Sequence, residues 1–189
     1  MKLLLIGLGN IGAAYTYTRH NMGFLVLDHL AKQQKVFFQA NHLAFTATFT
    51  YQQQQVYLIK PTTYVNNSGQ AVKHWLNALQ LPITQSLTVV DDYGLPFGTM
   101  RLRNKGSHAG HNGLKNIAAC LLSTDYPRLR IGIGSDFPKG GLADFVLGHF
   151  TRKEETALPD CLDQAAEIAL TWCRTGMVYA MNQFNNRTK

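Results

Sequence analysis

Residues 6–21 read I-G-L-G-N-I-G-A-A-Y-T-Y-T-R-H-N, and how this stretch is read decides the fold. A short apolar run, Leu3, Leu4, Leu5 and Ile6, enters it as a strand. Gly7, Gly9 and Gly12 then satisfy G-x-G-x-x-G, the pattern of a dinucleotide-binding turn. The competing reading is a loop that carries Asn10 and His20 into one pocket. In a dinucleotide unit the third glycine opens a helix, and an acid about twenty residues on meets the ribose. Here Gly12 is followed by Ala13, Ala14, Tyr15, Thr16, Tyr17 and Thr18, and a helical pattern begins only near Asn21. The one acid within reach, Asp28, falls inside that helix. The dinucleotide reading is therefore set aside, and the glycines are expected to serve tight local geometry.

The chain has 189 residues, 46% of them apolar, with no linker-like stretch, so one domain spanning 1–189 is expected. No apolar run approaches the length of a membrane span, and residues 1–6 are too short for a signal peptide. Cys120, Cys161 and Cys173 share no metal or disulfide spacing, which fits a reducing cytoplasm. The formal charge is +7, and before residue 125 the only acids are Asp28, Asp91 and Asp92. Such one-sided positive charge favours a polyanionic partner.

From 22 to about 34 the pattern is helical, with Asn21 a candidate N-cap. Residues 42–50 and 54–59 read as strands, stopped by Lys60-Pro61. A helix follows over about 70–79, with Ala71, Val72, Trp75 and Leu79 on one face. Residues 86–90 form a buried strand that delivers Asp91 and Asp92 at its carboxyl end, where open α/β sheets place their chemistry. A basic strand over 99–103, a glycine-rich loop over 105–113 and a helix over 114–122 come next. Residues 128–134 give another strand, 136–150 a mobile loop, and 152–184 two closing helices. Alternating strands and helices predict a single α/β domain with a twisted, mixed, mostly parallel sheet flanked by helices.

His20 sits between Arg19 and Asn21 at a loop-to-helix junction. Three other segments converge on the same chemistry: Asn66 before a helix, Asp91 at a strand end and Asn112 after His111. An aspartate fixes the tautomer of an imidazole and supports its cation. Carboxamides hold a peptide backbone or a water without charge. No nucleophile motif such as G-x-S-x-G is present, so the set points to histidine-activated water rather than a covalent enzyme. The histidines lack zinc-type spacing, and no metal or other cofactor is expected.

Several long motifs then occur in one order: G-L-G-N-I-G-A-A-Y-T-Y-T-R-H-N-M-G-F at 7–24, K-P-T-T-Y-V-N-N-S-G-Q-A-V at 60–72 and D-D-Y-G-L-P-F-G at 91–98. They continue with R-L-R-N-K-G-S-H-A-G-H-N-G-L-K at 101–115, R-L-R-I-G-I-G at 128–134 and D-F-V-L-G-H-F at 144–150. In this the chain resembles the bacterial, histidine-dependent peptidyl-tRNA hydrolases over nearly its whole length. The resemblance implies hydrolysis of the ester between a peptide and the 3′ end of tRNA, by a monomer without a metal. It implies that His20 is the general base and Asp91 its orienter. Asn10, Asn66 and Asn112 would bind the peptidyl backbone and terminal nucleotide or place the water. Apart from the resemblance, Tyr15 is a substrate-contact candidate because its ring, like that of Tyr17, can stack on a nucleotide. Arg101, Arg103, Lys105, Lys115 and Arg128 would face the tRNA.

The chain departs from the family pattern at Ile11, Val65, Val90, Tyr93-Gly94 and Ala109. Ala109 matters if its position demands positive φ. Two other classes are compatible with the sequence: an RNA-binding or splicing cofactor on the same fold without hydrolysis, and a hydrolase of another small ester or amide.

Overall fold

The computed structural model describes residues 1–185. Seven strands form one sheet: β1 (Lys2–Gly7), β2 (Gln39–Asn41), β3 (Ala44–Tyr51), β4 (Gln54–Pro61), β5 (Ser86–Asp92), β6 (Met100–Arg103) and β7 (Arg128–Gly132). Their spatial order is β2-β3-β4-β1-β5-β7-β6. The central four, β4-β1-β5-β7, are parallel, while β2/β3, β3/β4 and β6/β7 pair antiparallel. "Mostly parallel" thus holds for the centre of the sheet, with antiparallel strands at both margins. The strand β2 was not anticipated; its three residues are all exposed, so it carries no alternation of apolar and polar positions.

Helices cover both faces. α1 (Met22–Gln33) packs with α5 (Arg152–Thr175), which is followed by α6 (Met177–Phe184). α2 (Ser68–Leu79) packs with α3 (Asn112–Leu121), and α4 (Leu142–Leu147) is a short helix in the 136–150 segment. Two apolar cores result. One joins Leu3, Leu5, Val89 and Leu129 to Val26, Leu30, Ile168 and Trp172. The other joins Leu4, Ile6, Leu8 and Val90 to Val72, Trp75, Leu114 and Ile117. Alternate residues of β1 therefore feed opposite cores, as the two-residue period of a strand buried on both faces requires. The side chain at Val90, one of the family departures, is wholly buried in the second core.

Chain direction fixes where a site can form. β1 leads through α1 toward β2, β3 and β4 on one side, and β5 leads toward β6 and β7 on the other, so the connections diverge between β1 and β5. Loops at the carboxyl ends of those strands border the crevice where open α/β sheets bind ligands. The start of α1 sits on this seam with almost no clearance. A Cβ on Gly23 would lie 2.4 Å from both the Leu8 nitrogen and the Val89 carbonyl oxygen; one on Gly7 would lie 2.4 Å from the Gly23 carbonyl oxygen. Of the three glycines in the opening motif only Gly12 needs its left-handed freedom, at φ 108°. Gly7 and Gly9 are there for lack of bulk.

Gly23→Ala is therefore expected to lower stability by at least about 1–3 kcal/mol, because backbone cannot yield as a side chain can. Thermal unfolding measures this, and an unchanged Tm would contradict the packing.

Candidate active site

His20 lies in a 3-10 turn, Arg19–Asn21, immediately before α1, and Asp91 lies one residue before the end of β5. Because α1 is seated on the β1–β5 seam, the two side chains meet. His20 Nδ1 is 3.1 Å and 3.0 Å from the two carboxylate oxygens of Asp91. Both residues are buried, at 7% and 3% exposure. Held by the carboxylate, Nδ1 carries the proton and donates it, so Nε2 keeps its lone pair on the cavity side.

Burial is the largest influence on the His20 pKa and pushes it down, but the charge of Asp91 and its hydrogen bond together raise it above 6.5. For Asp91, burial pushes upward, and the charges and hydrogen bonds of His20 and His111 hold it well below 3.8 instead.

His111 completes the arrangement. Its Nδ1 accepts the N–H groups of Gly113 and Leu114 at 3.1 Å and 3.3 Å, capping α3. That duty fixes the tautomer, so Nε2 bears hydrogen and donates to Asp91 Oδ1 at 3.0 Å. The three groups His20, Asp91 and His111 lie close enough together to hold a metal ion. Their donor chemistry does not fit one: Nε2 of His111 offers a hydrogen rather than a lone pair, and losing it would break the helix cap.

The asparagines are set by one another. Asn21 does not cap α1 with its side chain; Oδ1 instead accepts the Asn10 N–H at 2.8 Å, and Nδ2 donates to the Asn10 carbonyl at 2.9 Å. Asn10 Oδ1 in turn accepts the Val65 N–H at 2.8 Å, which ties the opening loop to the 3-10 turn Val65–Asn67. Its oxygen being occupied, Asn10 offers its Nδ2 hydrogens to a ligand.

These groups line a cavity of about 690 Å³. His20, Asp91, His111, Asn10, Asn66 and Asn112 are its polar lining, and Leu142, Ala143, Val146 and Leu147 of α4 its apolar side; Tyr64, Val65 and Tyr93 also line it. A second cavity of about 620 Å³, between residues 97–101 and α5, has no comparable set of hydrogen-bonded titratable groups.

Of the residues expected at the site, Tyr15 lies away from this cavity and Arg128 has another role. Tyr15 is not on the cavity wall; it closes a 3-10 turn, Ala13–Tyr15, and its carbonyl accepts the N–H and hydroxyl of Thr18. Arg128 cannot meet a phosphate. It is 1% exposed, and its guanidinium donates to the carbonyls of Gly106, Ser107, Thr124 and Tyr126. Periodicity could not separate an anchoring arginine from a binding one, since both occur in basic strands beside glycine-rich loops. Arg103, Lys105 and Lys115 are exposed and Arg101 half-buried. Asp92 pairs with Arg130 at 2.8 Å and accepts the Gly94 N–H at 2.9 Å, a structural role. Ala109 does adopt positive φ, 45°. The missed contributor is Asn21, whose only signal was a carboxamide adjoining His20 in the chain.

Comparison with known proteins now bears on this geometry. The family model described as peptidyl-tRNA hydrolase matches residues 4–189. The chain is 50% identical over 187 residues to the peptidyl-tRNA hydrolases of Bacteroides fragilis and Phocaeicola vulgatus, covering 99% of this chain and 100% of each relative. Its fold matches the crystal structure of peptidyl-tRNA hydrolase from Acinetobacter baumannii, with a TM-score of 0.86 at 32% identity over 97% of this chain and 94% of that one. A peptidyl-tRNA hydrolase crystallised with N-propanol matches with a TM-score of 0.91 at 31% identity, with the same coverage. With its sequence, its fold and the matches in agreement, this chain belongs to the peptidyl-tRNA hydrolase family.

Proposed function

We propose that the chain hydrolyses the ester joining a peptide to the 3′ end of tRNA, with His20 as general base. The observation that carries this is a buried imidazole bound at Nδ1 by Asp91, its other nitrogen facing a cavity walled by three asparagines. His20 Nε2 takes a proton from a water as the water oxygen attacks the ester carbonyl carbon. Negative charge gathers on the carbonyl oxygen, where the amide hydrogens of Asn10 or Asn66 stabilise it. Collapse breaks the bond to the ribose oxygen, and the imidazolium returns its proton to that oxygen. Free peptide and tRNA leave. Asp91 supports the imidazolium throughout.

A neutral polar wall suits a peptide amide better than a phosphate. Free aminoacyl-tRNA lacks that amide and would leave carboxamide groups unpaired, which is a strong basis for discrimination. Arg101, Arg103, Lys105 and Lys115 hold the tRNA through its phosphates. The paired, cavity-facing His20 weighs against a binding-only protein, and the exposed cations on β6, the 105–113 loop and α3 weigh against a small-ester hydrolase.

Release of peptide from purified peptidyl-tRNA tests the reading. His20→Ala is expected to lose roughly 10²–10⁴-fold in kcat while keeping its fold and tRNA affinity; unchanged cleavage would sink the mechanism.

The pH dependence has a definite sign. The base works only when neutral, so kcat/KM falls as pH drops, with a midpoint above 6.5. Asp91→Asn removes the charge that raises this pKa and leaves burial, which lowers it, so the midpoint is expected to move below 6.5 while the plateau falls. A midpoint that stays in place would detach Asp91 from His20.

Binding should also weaken with salt, and Arg103→Ala and Lys105→Ala should each flatten the log–log slope by about 1. Arg128→Ala should instead lower Tm with the slope unchanged. Titration of tRNA at several salt concentrations separates the two classes.

A further inference from the structure

Arg19 precedes His20 in the chain, and the hydrolytic steps make no use of it. It is 6% exposed. Its guanidinium donates from Nη1 to the His149 carbonyl and from Nη2 to Glu154 Oε2 at 2.7 Å. The same Glu154 oxygen accepts the Thr151 N–H at 2.7 Å, in the capping box that begins α5. The guanidinium carbon lies 4.4 Å from the ring centre of Phe145 and 5.6 Å from that of Phe150. The backbone joins in: the Arg19 N–H donates to the Gly148 carbonyl at 3.1 Å, and Thr18 pairs with His149 as an isolated bridge.

Phe145 belongs to α4, whose Leu142, Ala143, Val146 and Leu147 line the apolar side of the cavity. The Phe145 ring meets that of Phe137 at a tilt, 4.9 Å between centres, and Phe137 meets Tyr93 edge-on at 6.0 Å. A chain of contacts, Arg19–Phe145–Phe137–Tyr93, thus runs from the neighbour of His20 to within two residues of Asp91. α4 has six residues, none of them fully buried. A helix so short does not hold itself in place. Its position over the cavity comes from what grips Phe145 and the 148–150 strap, and Arg19 grips both.

We propose that Arg19 is a positioning residue for hydrolysis: it fastens α4 over the cavity and so sets the gap between the apolar wall and the His20–Asp91 pair. This rests on the reading of the cavity as the peptidyl-tRNA site. The planar fork is essential, because one ammonium cannot serve the His149 carbonyl, Glu154 and a ring face together.

The test uses full-length wild type, Arg19→Lys, Phe145→Leu and the double variant, comparing kcat, KM, Tm and amide hydrogen exchange. Arg19→Lys is expected to raise KM about tenfold, with kcat within about threefold of wild type. The acid limb of kcat/KM stays in place, since His20 and Asp91 keep their bond. Exchange accelerates at 142–147 and not at 22–33. Phe145→Leu moves KM and exchange the same way, and the double variant is milder than the product of the two. If Arg19→Lys fails to fold, Phe145→Leu decides. A lower Tm with unchanged KM and unchanged exchange at 142–147 in the variants, beside normal wild-type turnover, overturns the positioning role alone. Absence of wild-type cleavage overturns the hydrolytic reading and the positioning role with it.

Discussion

The site depends on how closely α1 approaches the seam between β1 and β5. Gly7 and Gly23 leave no side chain between two backbones there, so the turn before α1 drops onto the strand ends. One consequence is electrostatic. His20 is brought to Asp91 inside a buried environment, where a hydrogen-bonded carboxylate can outweigh desolvation and leave the imidazole basic. The other is topological, because the same seam is where the connections diverge and a crevice must open. Packing, pKa and cavity placement thus follow from one steric fact.

Around that pair the protein uses neutral polar groups in series. Asn21 grips the backbone of Asn10, Asn10 grips Val65, and His111 caps α3 while donating to Asp91. Asn21 spends both ends of its carboxamide on that backbone, while Asn10 and His111 are each fixed at one end by a duty within the protein and present the other elsewhere. Preorganisation of this kind spares the reorganisation that water would require when charge develops. It also explains why the glycine-rich loop is tied down by Arg128, whose hydrogen bonds to Gly106 and Ser107 steady the approach to His111 and Asn112.

Ala109 and Gly94 show how departures from a pattern are absorbed. Ala109 is held at positive φ without being glycine, beside Gly110, over which the Tyr93 hydroxyl lies so closely that a Cβ there would be 2.8 Å away. Backbone strain of this size costs on the order of 1 kcal/mol and needs surrounding structure to sustain it. At Gly94 the backbone N–H donates to the Asp92 carboxylate, and the chain turns there with no side chain at the residue.

What the sequence alone determined was local or strongly patterned. Apolar runs marked the buried strands β1, β5 and β7, helical periodicity marked α1, α2 and α5, and the order of motifs supplied His20, Asp91, Asn10, Asn66 and Asn112. Tertiary structure decided which partners those side chains take. Asn21 looked like a helix cap and became a brace for Asn10; Arg128 looked like a phosphate ligand and became a loop anchor; Arg19 carried no signal beyond its place before His20. Each of these outcomes turns on a partner more than ten residues away or on burial, and neither is encoded in the spacing of nearby residues. The exposed β2 was invisible for the complementary reason, since a strand without a buried face leaves no alternation to read. A polar side chain's identity lists what it can bond, and only the folded chain brings one partner within 3 Å and excludes the rest.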